Sequence, residues 1–422
     1  MIEELRWRGL LADATEHAAK ALAAGQVTGY IGFDPTASSL HVGSLVPIMG
    51  LVHLQRAGHC PIALVGGGTG LIGDPSGKTS ERVLLDRTKA EENAEGIRGQ
   101  LASFLDFESR SAPARMANNL DWLDGLGLVA FLRDTGKHFS VNAMLRKESV
   151  RRRIADEESG ISFTEFSYQL LQAYDFWELN RRYGCTLQMG GSDQWGNITA
   201  GIDLVRRSGG TRCHGVVFPL VESATGVKFG KTEEGTVWLD PDRTSPYRFY
   251  QFWLNTDDGD VVRHLKLFTL LKRDAVEELA LAVKERPHRR EAQRRLAEEM
   301  TRAVHGAAGL DRARLASNVL FGGSPEGLGA SDIAEIFADV PSTVVARPAL
   351  EGEGIELAAL MADHGMAASR SEARRLIRGG GVYVNGIRNA ERAGKVSVED
   401  CVGGRFLIVR TGKKRYFVVE AR

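Results

Sequence analysis

Cysteine, long apolar runs and net charge are all scarce in this chain. Of the 422 residues only four are cysteines, they form no C-x-x-C pair, and no histidine stands at ligand spacing beside a pair. A zinc site and a disulfide framework are therefore not expected, and a reducing, cytoplasmic setting is predicted. Acidic residues interrupt the first 25 residues, which excludes an unbroken signal-peptide core. No later segment approaches the ~20 apolar residues of a membrane helix.

Positive and negative charges balance only when they are counted over the whole chain. The 54 Lys and Arg residues equal the 54 Asp and Glu residues, which by itself offers no indication of a nucleic-acid partner. Residues 366–422, however, carry thirteen basic and five acidic side chains, so the rest of the chain has an excess of eight negative charges. A basic C-terminal region joined to an acidic body is the first indication of function.

The order of predicted elements indicates an α/β fold at the start of the chain. After a helix over 3–24, a strand at 29–33, a helix at 40–54 and a strand at 61–65 follow one another. This alternation is typical of a parallel sheet, whose ligands bind beyond the carboxyl ends of the strands. Later predicted elements are helices at 89–105 and 163–183 and a strand at 186–189.

Beyond residue 240 the predicted strands disappear and the sequence becomes helical and highly charged. A stretch rich in Gly, Pro and acidic residues then predicts a linker, followed by two helices over 357–378 and short strands at 381–385 and 406–410. At roughly 150 residues per domain, a chain of this length should contain two or three folded units. The predicted boundaries are 1–240 for the α/β domain, 241–324 for a helical domain, 325–353 for the linker and 354–422 for a small module.

Two glycine-rich patterns near residue 70 imitate nucleotide-binding motifs. Residues 68–73 read G-x-G-x-x-G after a predicted strand, but Pro75 biases Asp74 away from the helix that a dinucleotide fingerprint opens. Residues 77–79 resemble the end of a Walker A loop, whose first glycine is replaced by Ile72. The glycines at a strand end favour a ligand wall over a surface turn. The candidate residues of this wall are Asp74, Lys78 and Arg82.

Residues 30–44 lead from a strand end directly into a helix start. Backbone donors and the positive helix end at such a place suit a nucleotide phosphate. Gly43, one turn into the helix, would let an adenine or ribose approach the backbone. Residues 228–232, KFGKT, place two lysines three residues apart around a glycine, in a loop that could close on charged oxygens. Taken alone, a histidine such as His41 near a helix start is more often a structural hydrogen-bonding group than a catalyst, and KFGKT alone is typical of a surface turn.

Together, these segments resemble the bacterial-type tyrosyl-tRNA synthetases of class I. The family's HIGH-type motif corresponds to HVGS at 41–44, and its KMSKS-type motif corresponds to KFGKT at 228–232. Longer matches follow in order: GFDPTA at 32–37, ALVGGGTGLIGDPSGK at 63–78, FLRDTGKHFSVN at 131–142, GISFTEFSYQLLQAYDF at 160–176, GGSDQWGNITAG at 190–201 and RTSPY at 243–247. The resemblance covers nearly the whole chain. It implies a Rossmann-like doubly wound parallel-sheet catalytic domain, an all-α tRNA-binding domain and a small α+β RNA-binding module.

The resemblance also implies a tyrosine pocket. The residues that it assigns to the substrate are Tyr30 and Asp175 at the phenol, Asp74, Tyr168 and Gln172 at the ammonium, and Gln194. The i, i+4, i+7 spacing of Tyr168, Gln172 and Asp175 independently places these three on one helical face. The alternative is that this face is simply half-buried. Burying an unpaired Asp175 would be costly, which predicts strong rejection of phenylalanine.

The implied reaction has two steps. The tyrosine carboxylate attacks the α-phosphate of ATP and expels pyrophosphate, and a hydroxyl of the 3′-terminal adenosine of tRNA(Tyr) then takes the tyrosyl group. No protein nucleophile is needed, so catalysis should come from positioning and charge stabilisation. Mg²⁺ should accompany ATP and be held mainly by phosphates, and no protein-bound metal is predicted.

The resemblance divides the remaining site residues between catalysis and ATP binding. The residues assigned to catalysis are His41, Thr36, Lys228, Lys231, Lys78 and Arg82. The residues assigned to ATP are Asp34, His41, Gly43, Ser44, Gly191, Asp193, Lys228 and Lys231. Ser44 stands where the family's motif usually has a second histidine, and Ile31 stands where some members have a small polar residue. These two departures predict retained activity with altered nucleotide binding.

Residues 367–386 resemble a small RNA-binding domain that these synthetases share with a ribosomal small-subunit protein. Its predicted phosphate contacts are Arg370, Arg374, Arg375 and Arg378. RNA binding is favoured over a merely solvated face because the module is strongly basic and the body is acidic. The family further implies a homodimer, with tRNA(Tyr), tyrosine and ATP as partners and no membrane. The alternatives are a related synthetase for another aromatic amino acid, such as tryptophan, and a non-catalytic RNA-binding relative.

Overall fold

The computed structural model describes residues 1–74, 86–155, 160–221, 229–232, 235–320, 322–338, 340–389, 394–412 and 415–422, with side chains left out at 148, 149, 152, 231 and 232. These residues form two compact units. The first unit contains Met1–Ser245 and Phe252–Val304, and the second contains Pro246–Gln251 and His305–Arg422. None of the described helices is long and apolar enough to cross a membrane.

A six-stranded sheet organises the described part of the first unit. Its strands are β1 (Asp13–Ala14), β2 (Thr28–Phe33), β3 (Cys60–Val65), β4 (Arg115–Asn118), β5 (Cys185–Gly191) and β6 (His214–Phe218). The strand order is β1-β6-β5-β2-β3-β4, and every neighbouring pair is parallel except β1 with β6. The predicted doubly wound parallel sheet is therefore confirmed. The chain also forms a two-stranded ribbon of β7 (Lys231–Thr232) and β8 (Gly235–Thr236).

Helices precede, connect and follow these strands. They are α1 (Ile2–Arg8), α2 (Ala18–Ala24), α3 (Leu45–Arg56), α4 (Arg87–Ala102), α5 (Leu120–Leu123), α6 (Leu128–Asp134), α7 (Val141–Leu145), α8 (Glu148–Ile154), α9 (Phe163–Tyr183), α10 (Trp195–Arg207), α11 (Pro246–Leu254), α12 (Asp258–Phe268), α13 (Arg273–Glu285) and α14 (Glu291–Val319). In α9 the Ser162 side chain accepts from the Glu165 N–H, and Gly184 ends the helix at φ 61°. These two caps explain why α9 begins and ends at the residues predicted from the sequence.

The sheet is buried on both faces where it supports the cavity described below. Tyr30, Ile31 and Phe33 on β2 and Leu64 on β3 are each at most 5% exposed. Near-continuous burial of successive residues is typical of a parallel strand covered by helices on both sides. The order of the strands reverses between β2 and β5, which makes their carboxyl ends the expected place for a ligand.

The second unit contains a mixed sheet and short helices. Its strands are β9 (Ser342–Val345), β10 (Ile355–Glu356), β11 (Val382–Val384), β12 (Ile387–Arg388), β13 (Lys395–Val396), β14 (Phe406–Thr411) and β15 (Arg415–Ala421). The sheet order is β12-β11-β14-β15-β9, and β10 pairs separately with β13. Its helices are α15 (Ala330–Ile336), α16 (Arg347–Leu350), α17 (Leu357–Asp363) and α18 (Arg370–Arg378). Leu357, Met361, Val384, Leu407 and Val419 belong to one core in this unit.

Three sequence predictions about the organisation of the chain need correction. The predicted helix over 3–24 is two helices, α1 and α2, with β1 between them. The predicted linker at 325–353 is folded, because β9 lies in it and pairs in parallel with β15. The predicted helical domain at 241–324 is divided between the two units, and its longest helix, α14, has non-helical backbone at Gly306, φ 72°.

Candidate active site

A cavity of about 490 Å³ lies in the first unit, at the carboxyl ends of β2 and β5. Most of the site residues predicted from the sequence line it: Tyr30, Asp34, Thr36, His41, Gly43, Ser44, Asp74, Tyr168, Gln172, Asp175, Gly191, Asp193 and Gln194. Ile31 lines it as well. The predicted residues Lys78, Arg82 and Lys228 lie outside the described residues, and only the backbone of Lys231, in β7, is described.

Asp175 is the most deeply buried acidic side chain of the cavity, at 2% exposure. Asn119 Nδ2 donates to its Oδ2 at 2.9 Å, and Trp122 Nε1 donates to its Oδ1 at 2.7 Å. Burial raises the pKa of Asp175 to about 7, although both hydrogen bonds favour the ionised form. Each carboxylate oxygen has a second lone pair, so Asp175 can also accept from a hydroxyl group in the cavity.

Two further buried polar atoms, on residues that line the cavity, have no hydrogen-bond partner among the described residues. They are the hydroxyl of Tyr30 on β2 and Oε1 of Gln188, which lies beside Tyr30 on β5. Burial and the nearby Asp175 raise the pKa of Tyr30, which keeps its hydroxyl protonated and able to donate. Because a buried polar atom without a partner is costly, this end of the cavity suits a ligand that brings its own hydrogen-bonding group.

Asn119 joins Asp175 to the glycine-rich loop. It is fully buried, its Oδ1 accepts from the Gly68 N–H at 2.8 Å, and its Nδ2 also donates to Thr69 Oγ1 at 2.9 Å. Thr69 Oγ1 donates in turn to Asp34 Oδ1 at 3.1 Å. A Cβ added at Gly66 would lie 2.4 Å from that same oxygen. This glycine is therefore needed for the close approach of Asp34 to the loop.

A second polar network extends along α9. The Tyr168 hydroxyl donates to both carboxylate oxygens of Asp34, at 3.2 and 3.1 Å. Gln172 Nε2 donates to Gln194 Oε1 at 3.0 Å, and Gln194 Nε2 donates to Asp74 Oδ2 at 2.7 Å. Each of these two sets of hydrogen bonds ends in a carboxylate, Asp34 in the first and Asp74 in the second, and carboxylate oxygens are the acceptors that suit a primary ammonium group.

His41 and Gly43 line the cavity just before α3. His41 Nδ1 accepts from the Gly43 N–H at 3.0 Å, so the neutral ring carries its proton on Nε2, which is then a donor. A Cβ at Gly43 would lie 2.6 Å from His41 Cε1, so the histidine ring itself requires this glycine. The close approach of a nucleotide to Gly43 stays a prediction.

Several residues that line or support the site escaped the sequence reasoning. They are Thr69, Asn119, Trp122, Gln188 and Asn197, the last of which donates to Gln172 Oε1 at 2.9 Å. A glutamine between Leu187 and Met189 in the buried part of strand β5 was a usable signal for Gln188. The others act through partners that are 25 to 56 residues away in sequence, which no local pattern reveals.

The predicted RNA-binding arginines are all exposed on α18: Arg370, Arg374, Arg375 and Arg378. Arg370 lies 3.0 Å from Asp363, and Arg374 lies 3.0 Å from Glu356. Ion pairs at such exposure contribute little to stability, so these guanidinium groups can exchange their partner for an external phosphate at little cost.

The part of the chain that the structure describes contains no cluster of three or more His, Cys, Asp or Glu side chains that could hold a metal ion.

Comparison with known protein families gives two matches that together cover most of the chain. Residues 23–322 match the model of class I tRNA synthetases for tryptophan and tyrosine, "tRNA synthetases class I (W and Y)". Residues 332–419 match the model "Tyrosine--tRNA ligase SYY-like C-terminal domain", which begins inside the segment predicted to be a linker.

Full-length relatives and solved structures agree with these family matches. The tyrosine–tRNA ligase of Roseiflexus castenholzii is 54% identical over 420 residues, which is 100% of this chain and 99% of the relative. That of Geobacillus stearothermophilus is 50% identical over 423 residues, with the same coverage. The truncated mitochondrial tyrosyl-tRNA synthetase of Aspergillus nidulans aligns at TM-score 0.67 and 31% identity, over 76% of this chain and 94% of that one.

Proposed function

The chain belongs to the tyrosine–tRNA ligases within the class I tRNA synthetases, and from this premise we propose how its residues divide the reaction. Its reaction is the activation of tyrosine by ATP and the transfer of tyrosine to tRNA(Tyr). The observation that carries the proposal is the buried end of the cavity. There the Asp175 carboxylate and the Tyr30 hydroxyl, which has no hydrogen-bond partner among the described residues, lie close enough for the charge of Asp175 to raise the pKa of Tyr30.

The substrate phenol donates to Asp175 and accepts from the Tyr30 hydroxyl. The two groups thereby recognise both the hydrogen and the oxygen of the phenol, which phenylalanine lacks. The ammonium binds where Asp74, Tyr168 and Gln172 meet. The polar groups along α9 support this assignment, because Tyr168, Gln172 and Asp175 lie on one face of the helix and all three line the cavity.

The carboxylate of bound tyrosine attacks the α-phosphorus of ATP. A bond forms between a carboxylate oxygen and phosphorus, and the bond from phosphorus to the bridging oxygen breaks, so the electron pair leaves with pyrophosphate. Donors from His41 Nε2 and the Thr36 hydroxyl stabilise the phosphate oxygens, and Lys78, Arg82, Lys228 and Lys231 neutralise the departing pyrophosphate. The phosphate oxygens of ATP would hold Mg²⁺, which would lower their negative charge. The residues that contact the adenylate are Asp34, Gly191, Asp193, Gln194 and Ser44.

Pyrophosphate exchange with a panel of amino acids tests this function. Tyrosine should stimulate the exchange of labelled pyrophosphate into ATP, whereas phenylalanine and tryptophan should stimulate it only weakly at equal concentration. A protein incubated without amino acid gives the background. Stimulation by tryptophan equal to that by tyrosine would contradict the phenol assignment, and no stimulation by any amino acid would contradict the proposed catalytic role of this cavity.

A homodimer is part of the proposal, and a cluster of exposed apolar side chains supports it. Seven large apolar residues between 128 and 163 are at least 40% exposed: Leu128, Val129, Leu132, Val141, Leu145, Ile154 and Phe163. Such a concentration of apolar surface is typical of a protein interface. A second copy of this chain is the proposed occupant. A cytoplasmic location is proposed as well, supported by the four cysteines, all of which are free thiols.

The substitution Val129→Asp should shift the dimer toward monomer. Val129 is 78% exposed, so an aspartate there leaves the isolated subunit intact but would be buried without a partner in an apolar interface. Analytical ultracentrifugation at micromolar concentration measures the effect. Val344→Asp is the matched control, because Val344 is 50% exposed and lies outside the cluster. If both variants sediment as wild type does, the interface lies elsewhere.

A further inference from the structure

Phe229 lies between the two lysines of the KFGKT segment and contributes to the wall of the cavity. No role in the reaction has so far been assigned to it. Its N–H donates to the Val221 carbonyl at 3.4 Å, and Val221 also lines the cavity. Val221 and Phe229, the residues on either side of 222–228, are thus held together at the cavity wall.

The ring of Phe229 packs into an aromatic cluster of the same unit. It stacks on Phe268 with ring centroids 5.2 Å apart and planes 11° from parallel, and it meets the edge of His264 at 5.0 Å. Phe252 and Trp253 contact it at 5.6 and 5.7 Å. Burial lowers the pKa of His264 to about 4, so this ring is neutral and packs like the other members. We call these five residues the aromatic cluster.

The residue after Phe229 is fixed from the other side. Gly230 has φ 86°, and a Cβ there would lie 2.5 Å from Val42 Cγ2, beside His41. The Gly230 carbonyl accepts from the Val237 N–H at 3.1 Å, and the Val42 N–H donates to the Val237 carbonyl at 3.0 Å. The backbone at 229–230 is therefore clamped between the aromatic cluster and the segment that carries His41.

We infer that Phe229 is a positioning residue, which anchors the KFGKT segment in the aromatic cluster so that Lys228 and Lys231 reach the ATP phosphates. This inference rests on the proposed role of those two lysines. Consecutive Cα atoms are ~3.8 Å apart, so Phe229 is the described residue best placed to influence where both lysines act. Because Phe229 is already held in the aromatic cluster, its own backbone need not be ordered in the transition state.

The test replaces the ring but keeps apolar volume. Phe229→Leu should slow tyrosyl-adenylate formation in single-turnover experiments by on the order of 10- to 100-fold, the cost of misplacing groups by about 1 Å. The Kd for tyrosine, measured by calorimetry without ATP, should stay within about twofold of wild type. Phe229→Tyr, which keeps the ring, should retain most of the wild-type rate of adenylate formation. Phe104→Leu is the matched control, since Phe104 is also half-buried but does not line the cavity.

A double-mutant cycle with Lys231→Ala separates positioning from general packing. If Phe229 acts through the lysines, Phe229→Leu should cost far less in the Lys231→Ala background than in wild type. An unchanged rate for Phe229→Leu, or equal costs in both backgrounds, would overturn the inference. The proposed function fails separately, namely if Lys228→Ala and Lys231→Ala both leave adenylate formation at the wild-type rate.

Discussion

Replacing Asp175 by alanine is expected to lower kcat/KM for tyrosine activation by on the order of 100-fold. A hydrogen bond to a charged group contributes about 1.5–3 kcal/mol, and each 1.4 kcal/mol is about a factor of ten in rate. Activation of phenylalanine should change much less, because phenylalanine never made this bond. The ratio between the two substrates should therefore collapse. Tyrosyl synthetases are the standard example of strong discrimination against phenylalanine, so that property was known of the family beforehand.

Asp175→Ala should also remove the pH dependence that tyrosine binding has in the wild type. The pKa of Asp175 is raised to about 7 by burial, and the ionised form accepts from the phenol. In the wild type, the Kd for tyrosine should therefore increase as pH falls through about 7, by up to about tenfold per pH unit. Because Asp175 is about half protonated near pH 7, binding there should also release up to about half a proton per tyrosine. Calorimetry in buffers of different ionisation enthalpy measures both effects, and Asp175→Ala should show neither in this pH range.

Glu178→Ala provides the matched control for Asp175→Ala. Glu178 is a buried acid on the same helix, at 4% exposure, but it pairs with Arg181 and Arg182 and does not line the cavity. Removing it should affect stability more than substrate choice. If Asp175→Ala keeps the wild-type preference for tyrosine over phenylalanine, the phenol does not bind at Asp175, and another group must recognise it.

The elements that the sequence predicted well are those with local boundary signals. Helix α9 runs over 163–183 as expected because a serine cap and a left-handed glycine mark its ends. The segment 325–353 was wrongly predicted as a linker because its composition is typical of one. Its strand β9 is stabilised by pairing with β15, more than 70 residues later, which no local pattern can indicate.

In the site, too, features set by neighbouring residues were predictable, and features set by residues far away in the sequence were not. The face formed by Tyr168, Gln172 and Asp175 was predictable, because helical spacing alone brings these side chains together, and all three line the cavity. The role of Asn119 was not predictable. Its amide joins Asp175 to Thr69 and Gly68, and these partners are 50 to 56 residues away. The role of a buried amide can be recognised only when the fold has placed all its hydrogen-bond partners around it.

Changing all four arginines of α18 to glutamine is expected to lower kcat/KM for tRNA by on the order of 100-fold at low salt. Each phosphate contact adds electrostatic attraction that salt weakens, with a slope of about 0.7–0.9 in log K per log salt concentration. The variant should therefore also show a smaller salt dependence, by up to about one unit per arginine in contact. Tyrosyl-adenylate formation should stay at the wild-type rate, because it takes place in the first unit. The residues are Arg370, Arg374, Arg375 and Arg378.

Substitution is a sharper test than truncation, because removing residues from 354 onward would leave β9 without its partner β15 and disrupt the rest of the second unit. A matched control places the same loss of charge on exposed basic residues of the first unit, Lys20, Arg56, Arg98 and Arg110, again changed to glutamine. If net charge alone attracts tRNA, both variants should lose the same affinity. If α18 contacts the phosphates, only the arginine variant should lose aminoacylation together with salt dependence. Equal loss of aminoacylation and of adenylate formation would contradict RNA binding by α18.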